Sequence, residues 1–183
     1  MPPWRAVGVG VALETARLRL HPLTPDHLEH LVALHGDPQV MAFITGTGEP
    51  PDVVASASLP DLLSRRTLAI FETATGTFLG WGSLRPEAGQ AELGYRLARS
   101  AWGQGFGSEA ARALVDLGFG TLELTRIWGQ TMAVNVGSRR VMEKAGLTYV
   151  RTVHLDWENP LPGSEQGEVE YAFTLTDWRA RRA

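Results

Sequence analysis

Apolar and polar residues alternate with two different periods along the chain, and the changes of period divide it into elements. The segments with period two, which predict strands, are 18–20, 67–72, 78–84, 91–98, 126–134, 148–155 and 168–175. Four segments have helical spacing. Two of them begin at Thr24 and Asn135, and the other two cover 52–66 and 107–119. This order of strands and helices predicts one mixed α+β sheet with helices on both faces.

Capping residues support two of the predicted helices. Thr24, followed by a proline, is a favourable N-cap with proline at the first helical position. Asn135 is a similar N-cap for a short helix whose stop is Gly146. The inward face of that short helix is predicted to be Val141, Met142 and Ala145.

The length of the chain bounds its organisation. With 183 residues it is long enough for one domain with a sizeable core, and no repeat or linker interrupts it. We predict a loose N-terminal leader at residues 1–12 and a single domain at 13–183. The apolar part of the leader is too short to cross a bilayer, so a cytoplasmic protein without a membrane partner is the expectation.

Composition excludes several kinds of chemistry. The formal net charge of −3 gives no electrostatic reason to expect a nucleic acid partner. The absence of cysteine excludes disulfides, thiolate metal sites and a cysteine nucleophile. Lys144 is the only lysine and precedes an alanine, which excludes an ordinary P-loop. The histidines show no metal-binding spacing, so no metal is expected.

A glycine-rich turn is the most informative segment. Glycines alternate at 103, 105 and 107, between the strand 91–98 and the helix 107–119. Free backbone N–H groups at a helix start converge on one place and bind anions, and a pyrophosphate is a natural occupant. The dinucleotide-binding fingerprint requires glycine at the position of Ser108, so a dinucleotide-binding turn of that type is excluded. The residues alone leave open which phosphate-bearing ligand binds, and also a plain connection without a ligand.

Two segments resemble conserved blocks of the GCN5-related N-acetyltransferase (GNAT) superfamily. Residues 102–107, Trp-Gly-Gln-Gly-Phe-Gly, resemble the motif R/Q-x-x-G-x-G/A that grips the coenzyme A pyrophosphate. Trp102 departs from the usual Arg or Gln and is similar to the RimJ/RimL-type branch. Residues 135–147 resemble the second block, Asn-x-x-Ser followed by a short helix, with Leu147 replacing the commoner aromatic residue. The resemblance covers about residues 14–178.

The resemblance implies a fold and an activity. The fold is the GNAT fold, an α+β architecture whose mixed, mostly antiparallel central sheet is splayed in the middle. The activity is transfer of an acetyl group from acetyl-CoA, by direct attack, to a primary amine, either a protein N-terminal α-amine or a small molecule. Two alternatives stay open: a non-catalytic acyl-CoA-binding or sensor module, and a protein-docking factor. A homodimer is compatible with the sequence and is not specified by it.

The resemblance also implies which residues hold the coenzyme. The pyrophosphate is expected on the backbone N–H groups of Gly103, Gln104, Gly105, Phe106, Gly107 and Ser108. The pantetheine arm is expected between the splayed strands, against the backbone of Tyr95, Arg96 and Leu97, with Gly94 at a bulge. Asn135 is expected to bond the pantetheine amides.

Further residues are assigned to phosphate contact and catalysis. Arg139, or else Arg140, is expected to reach the coenzyme phosphates, and an N–H near Leu97 to meet the oxyanion. Amines have pKa values of about 8 to 10, so the attacking nitrogen must lose a proton. Glu92 is the candidate base, and Ser138 the candidate donor to the coenzyme sulfur.

Two glutamates of the last predicted strand are weaker rivals of Glu92. Glu168 and Glu170 alternate with apolar residues, so they share a face that could line the acceptor site. Selection of the acceptor is expected to lie in the first two helices and in the loops 45–51 and 156–167, where the sequence offers no readable code.

Overall fold

A computed structural model of the protein describes residues 12–182. The strands are β1 (Leu13–Glu14), β2 (Leu18–Pro22), β3 (Leu68–Glu72), β4 (Phe78–Glu87), β5 (Gln90–Leu97), β6 (Arg126–Met132), β7 (Thr148–Val153) and β8 (Glu168–Thr174). The helices are α1 (Leu28–Gly36), α2 (Pro51–Val53), α3 (Leu59–Ser64), α4 (Phe106–Gly120), α5 (Val136–Ala145) and α6 (Leu175–Ala180). The predicted leader at 1–12 lies, apart from Ala12, outside the described residues.

The strands form one sheet that opens in its middle. Its order is β1-β2-β3-β4-β5-β6-β8-β7, and among the described strands only β5 and β6 pair in parallel. That parallel ladder is limited to Gln90↔Arg126, Ala91↔Ile127 and Glu92↔Trp128. Beyond it both strands continue without pairing to each other. The predicted mixed, mostly antiparallel and splayed sheet is therefore confirmed.

Helices cover both faces of the sheet, as predicted. On one face α4 and α5 enclose an apolar core that includes Leu114. On the other face α1, α3 and the π-helical segment between α2 and α3 enclose a second core that includes Val54. The neighbouring strand residues Ala69 and Ile70 belong to opposite cores, as the period of two requires.

The two predicted helix boundaries around the glycine turn and the second block are present. Helix α4 begins directly after Gly105, whose φ is 84°. Asn135 caps α5, because its Oδ1 accepts a hydrogen bond of 3.1 Å from the backbone N–H of Ser138. Helix α5 ends at Gly146, where φ is 106° and an added Cβ would lie 2.7 Å from Phe173. Glycine is thus required at that stop.

The expected bulge at Gly94 is wrong. The register between β4 and β5 is continuous from Gly80↔Leu97 to Glu87↔Gln90. The gap therefore opens because β6 diverges from β5, and β5 itself stays regular.

Three other features were not predicted. Strand β1 and helix α6 are too short for a period to be read from the sequence. The helix expected over 52–66 contains the π-helical turn Val54–Ser58. Pro60 follows that turn, and proline clashes with the carbonyl of the residue four positions earlier, which the wider turn relieves.

Two adjacent valines test the packing of the α1/α3 core. Val54 is 0% exposed and Val53 is 39% exposed. We predict that Val54→Ala lowers the free energy of unfolding by about 2 kcal/mol, because it removes buried methyl groups and leaves a cavity. Val53→Ala is the matched control and should change it by less than about 0.5 kcal/mol. Urea titration measures both, and equal losses would contradict the packing described.

Candidate active site

The open part of β5 presents unpaired backbone groups to the gap. Ala98 N–H donates to Leu79 O over 2.8 Å, which fixes the alternation of the β4–β5 ladder. By that alternation, the backbone groups of Tyr95 and Leu97 point toward β6. The β5–β6 ladder has already ended at Glu92, and among residues 12–182 the only partner of these groups is the indole N–H of Trp102, which donates to Leu97 O over 2.9 Å. An extended ligand can pair with this edge as a strand would.

Arg96 does not belong to this edge. Its carbonyl points to β4, where a Cβ added to Gly80 would lie 2.0 Å from it. Its side chain lies on the face of β5 opposite α4 and α5, against Trp81 and His35. Both its backbone and its side chain are therefore directed away from the gap, which corrects the grouping of Arg96 with Tyr95 and Leu97.

The glycine turn forms an open ring of donors. Gly103 and Gly105 have φ values of 74° and 84°, which favour glycine. Within the described residues, the backbone N–H groups of 103–108 donate to no protein acceptor. A Cβ added to Gly103 would meet nothing within 4 Å, so the space beside this residue is open. These donors and the positive end of α4 suit an anion.

An ion pair holds the glycine turn in place. Arg17 donates from Nη1 to Gln104 O over 3.0 Å and pairs with Glu109 over 2.7 Å. Burial alone would raise the pKa of Glu109, but hydrogen bonds from Thr15 and Arg17 outweigh it and hold the pKa below its ordinary value. The carboxylate in the first turn of α4 is thus neutralised locally, which leaves the free N–H groups attractive to an anion.

Tyr95 and Ser138 join β5 to α5 beside the gap. The phenol of Tyr95 donates to Ser138 O over 2.9 Å and lies 3.0 Å from Ser138 Oγ. Because the phenol has one proton and the carbonyl can only accept, Ser138 Oγ donates to the phenol oxygen. Burial raises the pKa of Tyr95, so the phenol stays neutral. Asn135 uses Oδ1 for its cap and keeps its NH₂ group free within the described residues.

The two neighbouring arginines of α5 differ in their surroundings. Arg139 donates to Tyr171 Oη over 3.2 Å and to Ala133 O over 3.0 Å. Its guanidinium is therefore already engaged. The side chain of Arg140 is exposed and makes no hydrogen bond or ion pair in the described part of the chain. Of the pair predicted to reach the coenzyme phosphates, Arg140 is the one that is free to do so.

The candidate base Glu92 is partly buried and paired with a cross-strand arginine. It forms an ion pair with Arg85, the residue opposite it on β4. Trp128 of β6 is its partner on the other side, at the last pair before the strands separate. Glu92 thus lies at the inner end of the gap, on the face opposite α4 and α5.

The two rival glutamates lie on one face, as predicted, but in different environments. Glu170 is bridged by Arg126 and Arg151. Burial would raise its pKa, but these hydrogen bonds outweigh burial and lower it. Glu168 has no ion pair within the described residues. Burial raises the pKa of Glu168, against a hydrogen bond from Gln130. Glu170 is therefore a structural carboxylate, whereas Glu168 remains available for proton transfer.

A buried polar network, which the sequence did not indicate, lies next to β5. His35 Nε2 is 3.2 Å from the indole nitrogen of Trp81 and 3.0 Å from Nη1 of Arg96, both of which can only donate. His35 Nε2 is therefore the acceptor, and Nδ1–H donates to Glu49 over 2.9 Å. Ser58 also donates to Glu49, over 2.6 Å. The partners of His35 are 14, 46 and 61 positions away, so no spacing could reveal them.

Burial and neighbouring charges set the protonation states of His35 and Arg96. Burial, followed by the charge of Arg96, lowers the pKa of His35 against the opposing effect of Glu49. The imidazole is therefore neutral at pH 7. Burial lowers the pKa of Arg96 to about 10, with Glu49 opposing that shift. Arg96 is still a cation at pH 7, although an incompletely solvated one.

Two loops approach each other on the Arg96 side of the sheet. A Cβ added to Gly46, in the loop after α1, would lie 2.7 Å from Leu161 Cδ2, in the loop between β7 and β8. The same second loop forms an open depression that is lined by Leu155, Asp156, Trp157, Pro160, Leu161, Pro162, Ser164 and Glu165. These are the loops that the sequence analysis expected to select the acceptor.

The fold and site define a class that comparison with known proteins identifies. The family model described as acetyltransferase (GNAT) domain matches residues 17–148. The chain is 35% identical over 182 residues to the FsC-acetyl coenzyme A-N(2)-transacetylase of Aspergillus fumigatus, covering 91% of this chain and 77% of that protein. The protein belongs to the GNAT acetyltransferase family. It is therefore an acyl-CoA-dependent acetyltransferase.

Solved structures share the fold at low sequence identity. A GNAT acetyltransferase from Bacillus anthracis matches with a TM-score of 0.77 and 20% identity, covering 91% of this chain and 99% of that one. A spermidine N-acetyltransferase from Vibrio cholerae, in complex with CoA and spermine, matches with a TM-score of 0.74 and 17% identity, covering 90% and 99%. These likenesses show the GNAT fold.

Two features are absent from the described residues. Among residues 12–182, no helix is long and apolar enough to span a bilayer. In the same range, no group of three or more histidine, aspartate and glutamate side chains could hold a metal ion.

The neutral His35 predicts a pH dependence of stability. Because its folded-state pKa lies below the ordinary 6.5, the unfolded chain binds the proton more tightly. The stability that the neutral His35 contributes is complete above pH 6.5. It is lost as the pH falls from 6.5 toward the folded-state pKa. We expect the free energy of unfolding from urea titrations to decrease over this interval.

Two variants isolate the histidine responsible. His35→Gln should be less stable at pH 8 and should show a shallower decrease than the wild type. His27, whose pKa is also lowered, chiefly by burial, accounts for part of the remaining slope. The exposed His154→Gln is the matched control and should keep the wild-type slope. A wild-type slope in His35→Gln would show that His35 is not the group that titrates.

Proposed function

We propose that the protein binds acetyl-CoA in the gap between β5 and β6 and acetylates a primary amine. The amine enters from the face of the sheet that is opposite α4 and α5. One observation supports this most strongly. The free N–H groups of residues 103–108 follow β5 after one short turn, and the preceding Trp102 donates its indole N–H to Leu97 O, so an anion cradle and an unpaired strand edge adjoin. A ligand with a diphosphate joined to an extended amide-bearing arm suits both features at once.

In this proposal the coenzyme uses the residues predicted for it, with two changes. The diphosphate binds the backbone N–H groups of 103–108, and the arm pairs with Tyr95 and Leu97. The free NH₂ group of Asn135 bonds the arm from the α5 side. Arg140 replaces Arg139 as the phosphate contact, because Arg139 is bonded to Tyr171. Arg96 is left out, because it points to the other face.

The chemistry proposed is direct attack of a neutral amine on the thioester. A C–N bond forms and the C–S bond breaks, with the oxyanion met by the N–H of Leu97. Glu92 accepts the amine proton, directly or through a water, because its carboxylate lies at the inner end of the gap. The Ser138 hydroxyl donates a hydrogen bond to the departing thiolate in place of its bond to the Tyr95 oxygen, while the Tyr95 phenol keeps its proton in the bond to Ser138 O.

The acceptor class is supported by a relative. The name of the Aspergillus fumigatus enzyme specifies a nitrogen, N(2), as the site of acetylation. A nitrogen acceptor fits a site whose reacting side chains are carboxylates that can take a proton. The similarity of Trp102 to the RimJ/RimL-type branch supports an amine as well.

Coenzyme binding is tested with two matched glycines. Gly103 and Gly76 have φ values of 74° and 69°, and a Cβ added to either meets nothing within 4 Å. Both alanine variants therefore carry the same backbone strain, of about 1–2 kcal/mol. Only Gly103→Ala places a methyl group and this strain on the turn whose N–H groups form the anion cradle, so calorimetry should show about tenfold weaker coenzyme A binding for it. Gly76→Ala should bind as the wild type does, and equal affinities for both variants would contradict the cradle.

The identity of the base is tested with isosteric amides. We expect Glu92→Gln to lower kcat by about a hundredfold or more, because general base catalysis contributes that much. The affinity for acetyl-CoA should be unchanged. The rates are measured as release of thiol from acetyl-CoA with a panel of amines. Measurement from pH 6 to 9 shows how the rate changes toward low pH.

Glu168→Gln is the matched comparison for this experiment. A large loss in Glu168→Gln with a small one in Glu92→Gln would transfer the base to Glu168, whose buried carboxyl is the second candidate. Tight coenzyme binding without turnover of any amine would instead favour a binding or sensor module.

A further inference from the structure

The positive charge of Arg96 has no carboxylate partner among the described residues. Its Nη1 is bonded to the neutral His35, and in the described part of the chain its buried Nε has no hydrogen-bond partner. Glu49 lies beyond His35 and already accepts from His35 and Ser58. A buried N–H without an acceptor and a partly buried cation without a carboxylate in direct contact both cost free energy. An anion that binds next to Arg96 would remove both costs.

The free edge of this guanidinium has a defined chemistry. Nη1 is taken, which leaves Nε–H and one N–H of Nη2 parallel to each other on the same edge. This edge is the one with which arginine holds a carboxylate through two parallel hydrogen bonds. The Trp81 ring, 5.2 Å from the guanidinium carbon, and the bond to His35 fix its orientation. The network therefore fixes the orientation of an edge suited to a carboxylate, and because Nε is shielded from solvent in the free protein, a bound carboxylate must displace the groups that cover it. We call this Nε/Nη2 edge the carboxylate fork.

Arg96 lies on the side of the sheet from which the acceptor is proposed to enter. It is adjacent in the chain to Leu97, whose N–H faces the gap, and its side chain lies on the same face of β5 as Glu92. Glu49, which anchors the network, belongs to the loop that approaches Leu161 on this side of the sheet. The fork thus lies on the acceptor side of the sheet and is next in the chain to Leu97, the proposed oxyanion donor.

We propose that Arg96 binds a carboxylate of the acceptor, so that the preferred acceptors are α-amino acids with a free carboxyl group. This inference rests on the proposed acetyltransferase function. In an α-amino acid the amine and the carboxylate are separated by one carbon. Arg96 would therefore hold the carboxylate while the amine faces the thioester. His35 and Glu49 act as positioning residues, since they orient Arg96 without touching the acceptor.

Matched acceptors test the proposal. Leucine and phenylalanine are compared with leucinamide and phenylalaninamide, which lack only the negative charge, by release of thiol from acetyl-CoA. The quantity measured is the ratio of kcat/KM for the acid to that for its amide. Comparing this ratio between enzymes cancels the different basicities of the two amines. We expect the ratio to fall about tenfold or more in Arg96→Gln, as the loss of a charged hydrogen bond implies.

Two further variants complete the turnover experiment. Arg96→Lys, which keeps the charge and loses the fork, should give an intermediate ratio. Arg179→Gln, which changes an exposed arginine of α6, should keep the wild-type ratio. An acid-to-amide ratio in Arg96→Gln equal to that of the wild type would overturn the proposal, provided that circular dichroism shows Arg96→Gln to be folded.

A binding experiment separates this inference from the proposed function. The reaction products N-acetylleucine and N-acetylleucinamide are titrated by calorimetry into the protein saturated with coenzyme A. The wild type should bind the acid more tightly than the amide, and Arg96→Gln should lose that preference. Should coenzyme bind while no amine is acetylated, the proposed function fails, but this comparison still decides the role of Arg96. No preference for the acid in the wild type would overturn the inference.

Discussion

The structure depends on the early end of the parallel pairing between β5 and β6. Gly129 stands near the point of divergence, where an added Cβ would lie 3.3 Å from Leu93 O and 2.9 Å from Met142 Sδ. Close approach is therefore needed just where the strands begin to part. Beyond it, backbone groups of Tyr95 and Leu97 have no partner strand. Unpaired backbone groups inside a sheet cost free energy, so an edge of this kind is stable only where a ligand or water bonds to it.

The splayed sheet separates two tasks onto its two faces. Helices α4 and α5 pack on one face and bring the free N–H groups of 103–108, the Asn135 cap and the Tyr95–Ser138 pair to the gap. The other face carries Glu92 and the network around Arg96. The alternation of β5 makes this division possible, because successive side chains of one strand serve opposite faces. In our account the donor is held from one face and the acceptor is met on the other.

Local signals in the sequence explain how much of this could be predicted. The strand at β5, the glycine turn and the capped helix α5 each have a short-range signature, and each is present in the structure. The His35 network has none, since it joins residues from α1, a loop, β4 and β5 that only the folded chain brings together. The orientations of Arg96 and Arg139 likewise depend on register and on tertiary hydrogen bonds. Strand alternation could have separated Arg96 from Tyr95 and Leu97, had the β4–β5 register been known.

A crystal structure with bound coenzyme A would test the central claim most directly. The account predicts the diphosphate within hydrogen-bond distance of the backbone N–H groups of 103–108, and the pantetheine arm paired with Tyr95 and Leu97 between β5 and β6. The sulfur should lie toward the Glu92 end of the gap. Coenzyme bound elsewhere, or a gap closed by continued pairing of β5 with β6, would contradict the account.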